Sequence, residues 1–117
     1  MPYKVKLLEQ AKDFLDTLSI RMRAKAFRTI ELLQEFGPFL TAPHSKTLKG
    51  YAGLRELRVK QGSDICRLFY FHYDKNIYII TSGYVKKDRK TNKKEILKAF
   101  YLMKSLLEEN HGENEIT

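Results

Sequence analysis

Glu56, Arg58 and Arg67 are the residues of this chain whose types and spacing suit joint chemistry. Side chains along a strand alternate between its two faces. In Leu54 to Lys60, Glu56, Arg58 and Lys60 therefore point one way and Leu57 and Val59 the other. A second strand-like run starts at Ile65, after the turn residues Gln61-Gly62-Ser63-Asp64. If those four residues close a hairpin, Lys60 pairs with Ile65 and Arg58 lies directly opposite Arg67. Two arginines facing each other in a sheet repel unless an anion sits between them. Arg67 also interrupts the apolar run Ile65 to Phe71, where an aliphatic side chain would pack. A local rule broken without compensation points to function. The competing expectation is that Arg67 pairs with Glu56 or Asp64 as a scaffold salt bridge.

One carboxylate beside two guanidinium groups suits phosphodiester chemistry. Cleaving RNA through its own 2′-hydroxyl needs a base for that proton, cations for the charge growing on the phosphorane, and an acid for the departing 5′-oxygen. A preorganised cation contributes roughly 3 kcal/mol to such a transition state, and acid–base help about a hundredfold or more. Glu56 would supply the base, and Arg58 and Arg67 the cations. The acid would be Tyr84 or a lysine of reduced pKa, with sheet packing or base stacking as the alternative role for Tyr84. Directly after the strand bearing Tyr84, Lys86 to Lys98 holds seven basic residues against two acids. That run is either a solvated surface or a ramp facing RNA, and its position favours the ramp.

The elements that must position these groups are legible from periodicity. Tyr3 to Leu8 alternates as a short strand. Leu8, Ala11, Leu15 and Leu18 then recur at helical spacing. After Ser19, placed as an N-cap, Ala26, Phe27, Ile30, Leu33 and Phe36 form a second apolar stripe, ended by Gly37-Pro38. Phe39 to Gly53 shows little periodicity and reads as a loop. Three strands follow, over Leu54 to Lys60, Ile65 to Tyr73 and Ile77 to Lys86, joined by short turns. A last helix opens with Asn92 and Glu95 at capping-box spacing and buries Ile96, Ala99, Phe100, Met103, Leu106 and Leu107. The order β-α-α-β-β-β-α predicts an α+β domain, an antiparallel meander carrying a two-helix hairpin and a C-terminal helix.

Other residues that attract notice carry less. His44, His72 and His111 are far apart, and one cysteine gives no support to a zinc site. Cys66 lies in a strand with no base near it in sequence and reads as a buried structural thiol. The six glycines lie apart, at turns, with no phosphate-binding fingerprint.

Length and charge bound the partners. A chain of 117 residues is expected to form a single domain over 1–117. The last ten residues hold four acids and no Lys or Arg, and read as a frayed tail from about residue 108. The first 107 residues carry 22 bases against 10 acids, an excess that suits a polyanionic partner. No run is apolar enough for a signal peptide or a membrane span, so a cytoplasmic location without membrane contact is expected.

Leu48 to Val59 and Asp64 to Phe71 resemble two adjacent strands of RelE-type toxins from bacterial toxin–antitoxin pairs. Gly83 to Lys87, Lys90 to Glu95 and the closing helix are similar to the HigB-like, phage-derived branch of that RelE/ParE superfamily. The resemblance spans Tyr3 to about Leu107 and implies the RelE-like fold. It also implies cleavage of mRNA on the ribosome, without metal or small-molecule cofactor, under the control of a cognate antitoxin of helix-turn-helix, HigA-like type. Residue by residue, Arg58 and Arg67 match phosphate-binding positions. Glu56 falls where some members place a carboxylate base and others a lysine. Tyr84, Lys86 and Lys87 fall where the C-terminal acid or phosphate contacts are supplied. On that reading Glu56, Arg58, Arg67, Tyr84 and Lys87 are catalytic, and Lys49, Arg55, Lys86, Arg89 and Lys90 bind RNA. The alternative is a ParE-like protein that binds DNA gyrase and has no use for the Glu56/Arg58/Arg67 cluster.

Overall fold

The alternating pattern of residues 54–86 folds as three hairpin-linked antiparallel strands, and both faces of the resulting sheet are covered. The structure is a computed structural model that describes residues 1–86 and 92–116, with side chains as far as residue 109. Its elements are β1 (Lys4–Leu7), α1 (Glu9–Asp16), α2 (Ile20–Phe36), a short 3-10 turn (Gly37–Phe39), β2 (Ser45–Thr47), β3 (Arg55–Gln61), β4 (Asp64–Asp74), β5 (Ile77–Lys86) and α3 (Lys93–Ile116). The sheet has five strands in the order β1-β5-β4-β3-β2. β2 to β5 are antiparallel neighbours, while β1 runs parallel to β5. The α+β class and the element order are as expected from sequence, with one addition. β2 lies inside the segment read as a loop; at three residues it is too short to show a period.

The helices cover both faces of the sheet. Phe27 and Phe36, read from sequence as part of the second stripe, are exposed, and only Ala26, Ile30 and Leu33 of it are buried. Ala11, Leu15, Met22, Ala26, Ile30 and Leu33 of α1 and α2 pack on Leu57, Val59, Cys66, Leu68 and Ile80. Ile96, Ala99 and Met103 of α3 pack on the other face, against Leu54, Phe69, Phe71 and Ile79. Ser19 caps α2, its Oγ accepting from the Met22 amide at 3.2 Å. Asn92 caps α3, its Oδ1 accepting from the Glu95 amide at 3.4 Å. The helical backbone of α3 runs on to Ile116, through the acidic stretch read from sequence as a frayed tail. Among the described residues, no helix is long and apolar enough to cross a membrane.

Gly83 corrects the reading of every glycine as a turn residue, since it lies within β5. A β-carbon there would stand 2.6 Å from Phe14 Cδ2 and 2.7 Å from Leu68 Cδ2. The absent side chain lets α1 settle on the sheet beside the strand that carries Tyr84. Gly83→Ala is therefore expected to overpack this contact and lower stability by about 1–3 kcal/mol, measured by urea denaturation. An unchanged midpoint would mean that Phe14 swings away freely.

Candidate functional site

The register of the central strands aligns the charged residues in rows. Arg58 pairs with Arg67 and Arg67 with Tyr84, so the three share one row on the face that α3 also packs against. The next row towards the β3–β4 turn is Lys60, Ile65 and Lys86. On the other side comes the row Glu56, Phe69 and Ser82, with Lys46 of β2 opposite Glu56. α3 covers the far end of this face, at Leu54, Phe71 and Ile79. The end holding the charges is left to Lys46, Glu56, Arg58, Lys60, Arg67, Tyr84 and Lys86. Among the described residues, five cations gather there around a single carboxylate.

That carboxylate is buried. Glu56 has no exposed surface, Arg67 is 4% exposed, and the Arg67 Nη1 donates to Glu56 Oε1. The scaffold ion pair considered from sequence is therefore present, and the base role expected of Glu56 meets an obstacle. Its Oε1 is already engaged by the Arg67 guanidinium rather than free to take a proton. The pair leaves much polar capacity unused. Glu56 Oε2, Arg67 Nε, Arg58 Nε and the Tyr84 hydroxyl are all buried without a hydrogen-bond partner among the described residues. Buried polar atoms are nearly always satisfied, so four in one patch mark a place built for a ligand or ordered water.

Two half-exposed groups border the pair with opposite acid–base tendencies. The Tyr84 ring stacks on Phe69 at 5.7 Å between centroids and 17° between planes. Burial raises its phenol above the usual tyrosine range; the nearby Asn92 backbone and the Arg67 cation partly oppose this, while Glu56 and Glu95 reinforce it. The Lys86 ammonium is lowered, by loss of solvation first and then by the Arg67, Arg58 and Lys46 cations, against the opposing pull of Glu56. A phenol that holds its proton and an amine that gives it up more readily are suited to acid and base roles respectively.

Sequence reasoning placed Glu56, Arg58 and Arg67 on one face, with the Arg58–Arg67 pairing as found; the structure adds Tyr84 and Lys86 to that face. Sequence reasoning did not separate Arg55, which pairs with Tyr70 and so projects from the opposite face. Lys49 stands exposed in the turn between β2 and β3, off the row. Lys87, Arg89 and Lys90 lie outside the described residues. Lys46 was missed because its strand was missed; only its pairing with Glu56 reveals it. His44 was set aside for lack of ligand spacing, yet its carbonyl accepts from the Arg58 amide at 2.8 Å. It lines a cleft of about 400 Å³ with Lys25, Thr29, Arg58 and Lys60, opening from the charged row past the edge of β3. Cys66 is fully buried and its thiol is pushed up to about 12 by desolvation, as fits a structural residue.

Residues 13–104 match the family described as "Phage derived protein Gp49-like". The chain belongs to that family. Among curated proteins none matches it in sequence. Among solved structures, it is similar to a doubly substituted RelE toxin of E. coli in the free state, with 20% identity and a TM-score of 0.61 over 86% of this chain and 96% of that one. It is similar also to the archaeal RelE–RelB complex from Pyrococcus horikoshii OT3, with 20% identity and a TM-score of 0.58 over 76% of this chain and 100% of that one. The isolated E. coli RelE toxin matches at 22% identity and a TM-score of 0.57, over 82% and 96% of the two chains. The Gp49-like chain thus has the RelE fold.

Proposed function

We propose that this protein is the toxin of a type II toxin–antitoxin pair and a metal-independent endoribonuclease that cuts mRNA on the ribosome. The observation that carries the reading is the row Arg58–Arg67–Tyr84 with Lys86 beside it, where five cations surround one buried acid and four polar atoms lack partners. Arg58, with Lys46, meets the scissile phosphate and the charge that grows on it. Lys86 takes the 2′-hydroxyl proton and Tyr84 protonates the departing 5′-oxygen, in keeping with the lowered amine and the raised phenol. Glu56 and Arg67 fix that surface from beneath. The basic cleft past His44 and Lys25 continues the path of the RNA strand. Solved RelE from Pyrococcus horikoshii is in complex with RelB; here the counterpart is a cognate antitoxin, of helix-turn-helix, HigA-like type, in the cytoplasm.

The test is translation in a cell-free extract with 5′-end mapping of the mRNA. Discrete cuts inside the reading frame are expected, and Arg58→Ala should reduce their rate by at least ~100-fold with the circular dichroism spectrum unchanged. Intact mRNA together with gyrase-poisoned DNA would overturn the nuclease in favour of a gyrase-binding toxin. Cuts made equally well by Arg58→Ala would move the phosphate site elsewhere.

A further inference from the structure

A further cavity among the described residues lies away from the charged row. It measures about 560 Å³ and opens on the opposite face of the sheet, where the chain leaves α2 at Gly37 and Pro38. Tyr3, Arg55, Tyr70, His72, Lys75 and Tyr78 line it, and no Asp or Glu is among its described lining residues. Its volume falls in the range of small-molecule sites, roughly 300–1,000 Å³.

The walls are aromatic and fixed. Tyr78, 6% exposed, anchors three rings: Tyr3 edge-on at 5.9 Å, Tyr70 tilted at 5.9 Å and His72 tilted at 5.2 Å. Tyr3 is seated over Gly37, whose missing β-carbon would stand 2.4 Å from the ring. His72 Nε2 donates to the Lys75 carbonyl, which holds the imidazole in place. Tyr70 is tied to Ser45 by a hydrogen bond of 2.6 Å between hydroxyls. The tyrosines stay neutral: burial raises both Tyr70 and Tyr78, against the pull of the Arg55 cation. Arg55 has no counter-ion within salt-bridge distance among the described residues, and its Nε is buried without a hydrogen-bond partner. A guanidinium held against aromatic walls with an unused buried donor is suited to receive an anion.

We propose that this pocket binds a nucleoside phosphate, with the phosphate on Arg55 and Lys75 and the base against Tyr3 and His72. Arg55 supplies a planar fork for phosphate oxygens, which a lysine does not reproduce. The rings accept any base, because stacking needs only a π-face. The same chemistry is offered by a free nucleotide and by an unstacked nucleotide of an RNA strand. The pocket faces away from Arg58 and Lys86, so it stands or falls separately from the cleavage reading.

Calorimetric titration of the full chain with adenosine 5′-monophosphate, adenosine, inorganic phosphate and a 2′-O-methyl RNA trinucleotide tests this. Saturable binding of the monophosphate is expected, with adenosine and phosphate each at least about tenfold weaker. Arg55→Ala and Tyr3→Ala should each weaken it by about tenfold or more, and the surface variant Lys75→Asn by severalfold. Asn accepts the positive φ of 42° at Lys75, so that variant keeps the turn. Arg58→Ala with Lys86→Ala should bind the monophosphate like the parent even where cleavage is lost. A trinucleotide tighter than the monophosphate identifies RNA as the source, and the reverse order a free nucleotide. Absence of saturable binding, phosphate binding as tightly as the monophosphate, or a folded Arg55→Ala with parental affinity would each overturn the proposal. The last two results would leave an anion site or an unrelated aromatic pocket.

Discussion

Arg67→Ala is expected to remove both activity and stability: mRNA cleavage should fall by at least ~100-fold, and unfolding free energy by about 3–5 kcal/mol. The two losses have different causes. Removing the guanidinium strands Glu56, whose carboxylate has no exposed surface and, among the described residues, is paired by Arg67 alone. An uncompensated buried charge is what makes breaking such a pair costly. Cleavage suffers because Arg67 stands between Arg58 and Tyr84 in the row and holds both the geometry and the positive field of that surface. A double variant separates the two. Glu56→Leu with Arg67→Met replaces the pair by apolar side chains and should restore stability to the parental level or above. It should leave cleavage lost. Arg67→Lys should recover part of the rate, lacking the fork that reaches Glu56 while leaving further donors free. Single-turnover cleavage on programmed ribosomes and urea denaturation are the two measurements. A stable double variant that cuts at the parental rate would reduce the pair to scaffold and leave Arg58, Tyr84 and Lys86 as the whole site.

The second large effect is on the pH profile. With Lys86 as base, the reactive form is the neutral amine, so single-turnover cleavage should rise with pH through its lowered pKa. With Tyr84 as acid, the rate should fall again only where the raised phenol loses its proton. Lys86→Arg stays protonated throughout and should lose the rising limb and roughly a hundredfold in rate, with RNA binding held by the retained charge. Tyr84→Phe should lose the falling limb and keep the rising one. If Lys86→Arg preserves the rising limb, the base is another group. His44, which lines the same cleft as Lys60, is the next to replace.

How far the site could be read in advance depended on how local its cause was. The alternation of Glu56-Leu57-Arg58-Val59 and the short turn at Gly62-Ser63 fix both face and register, because a one-residue slip would send Leu57 and Val59 to the wrong side. Tyr84 reaches the same row across two register shifts in the β4–β5 pairing, whereas Arg58 opposite Arg67 and the buried stripe of α3 follow from periods within a few residues. Ser19 and Asn92 announce their helices for the same reason.

Burial and long-range pairing were decided only by the tertiary structure. A carboxylate on a strand reads the same whether exposed or not; Glu56 lies in an inner strand with no exposed surface and its carboxylate is held by Arg67. That changes it from the expected base into the partner of Arg67. Lys46 joins the charged surface through a three-residue strand with no period to detect, and Arg55 leaves it because its row partner Tyr70 faces α1 and α2. The parallel pairing of β1 with β5 joins residues more than 70 positions apart, which no local pattern encodes. Sequence by itself determined which residues share a face, since that is a matter of backbone periodicity. Which of them meet solvent, and which proton-transfer role each then suits, was set by the layers packed above and beneath them, because desolvation and neighbouring charge act through space rather than along the chain.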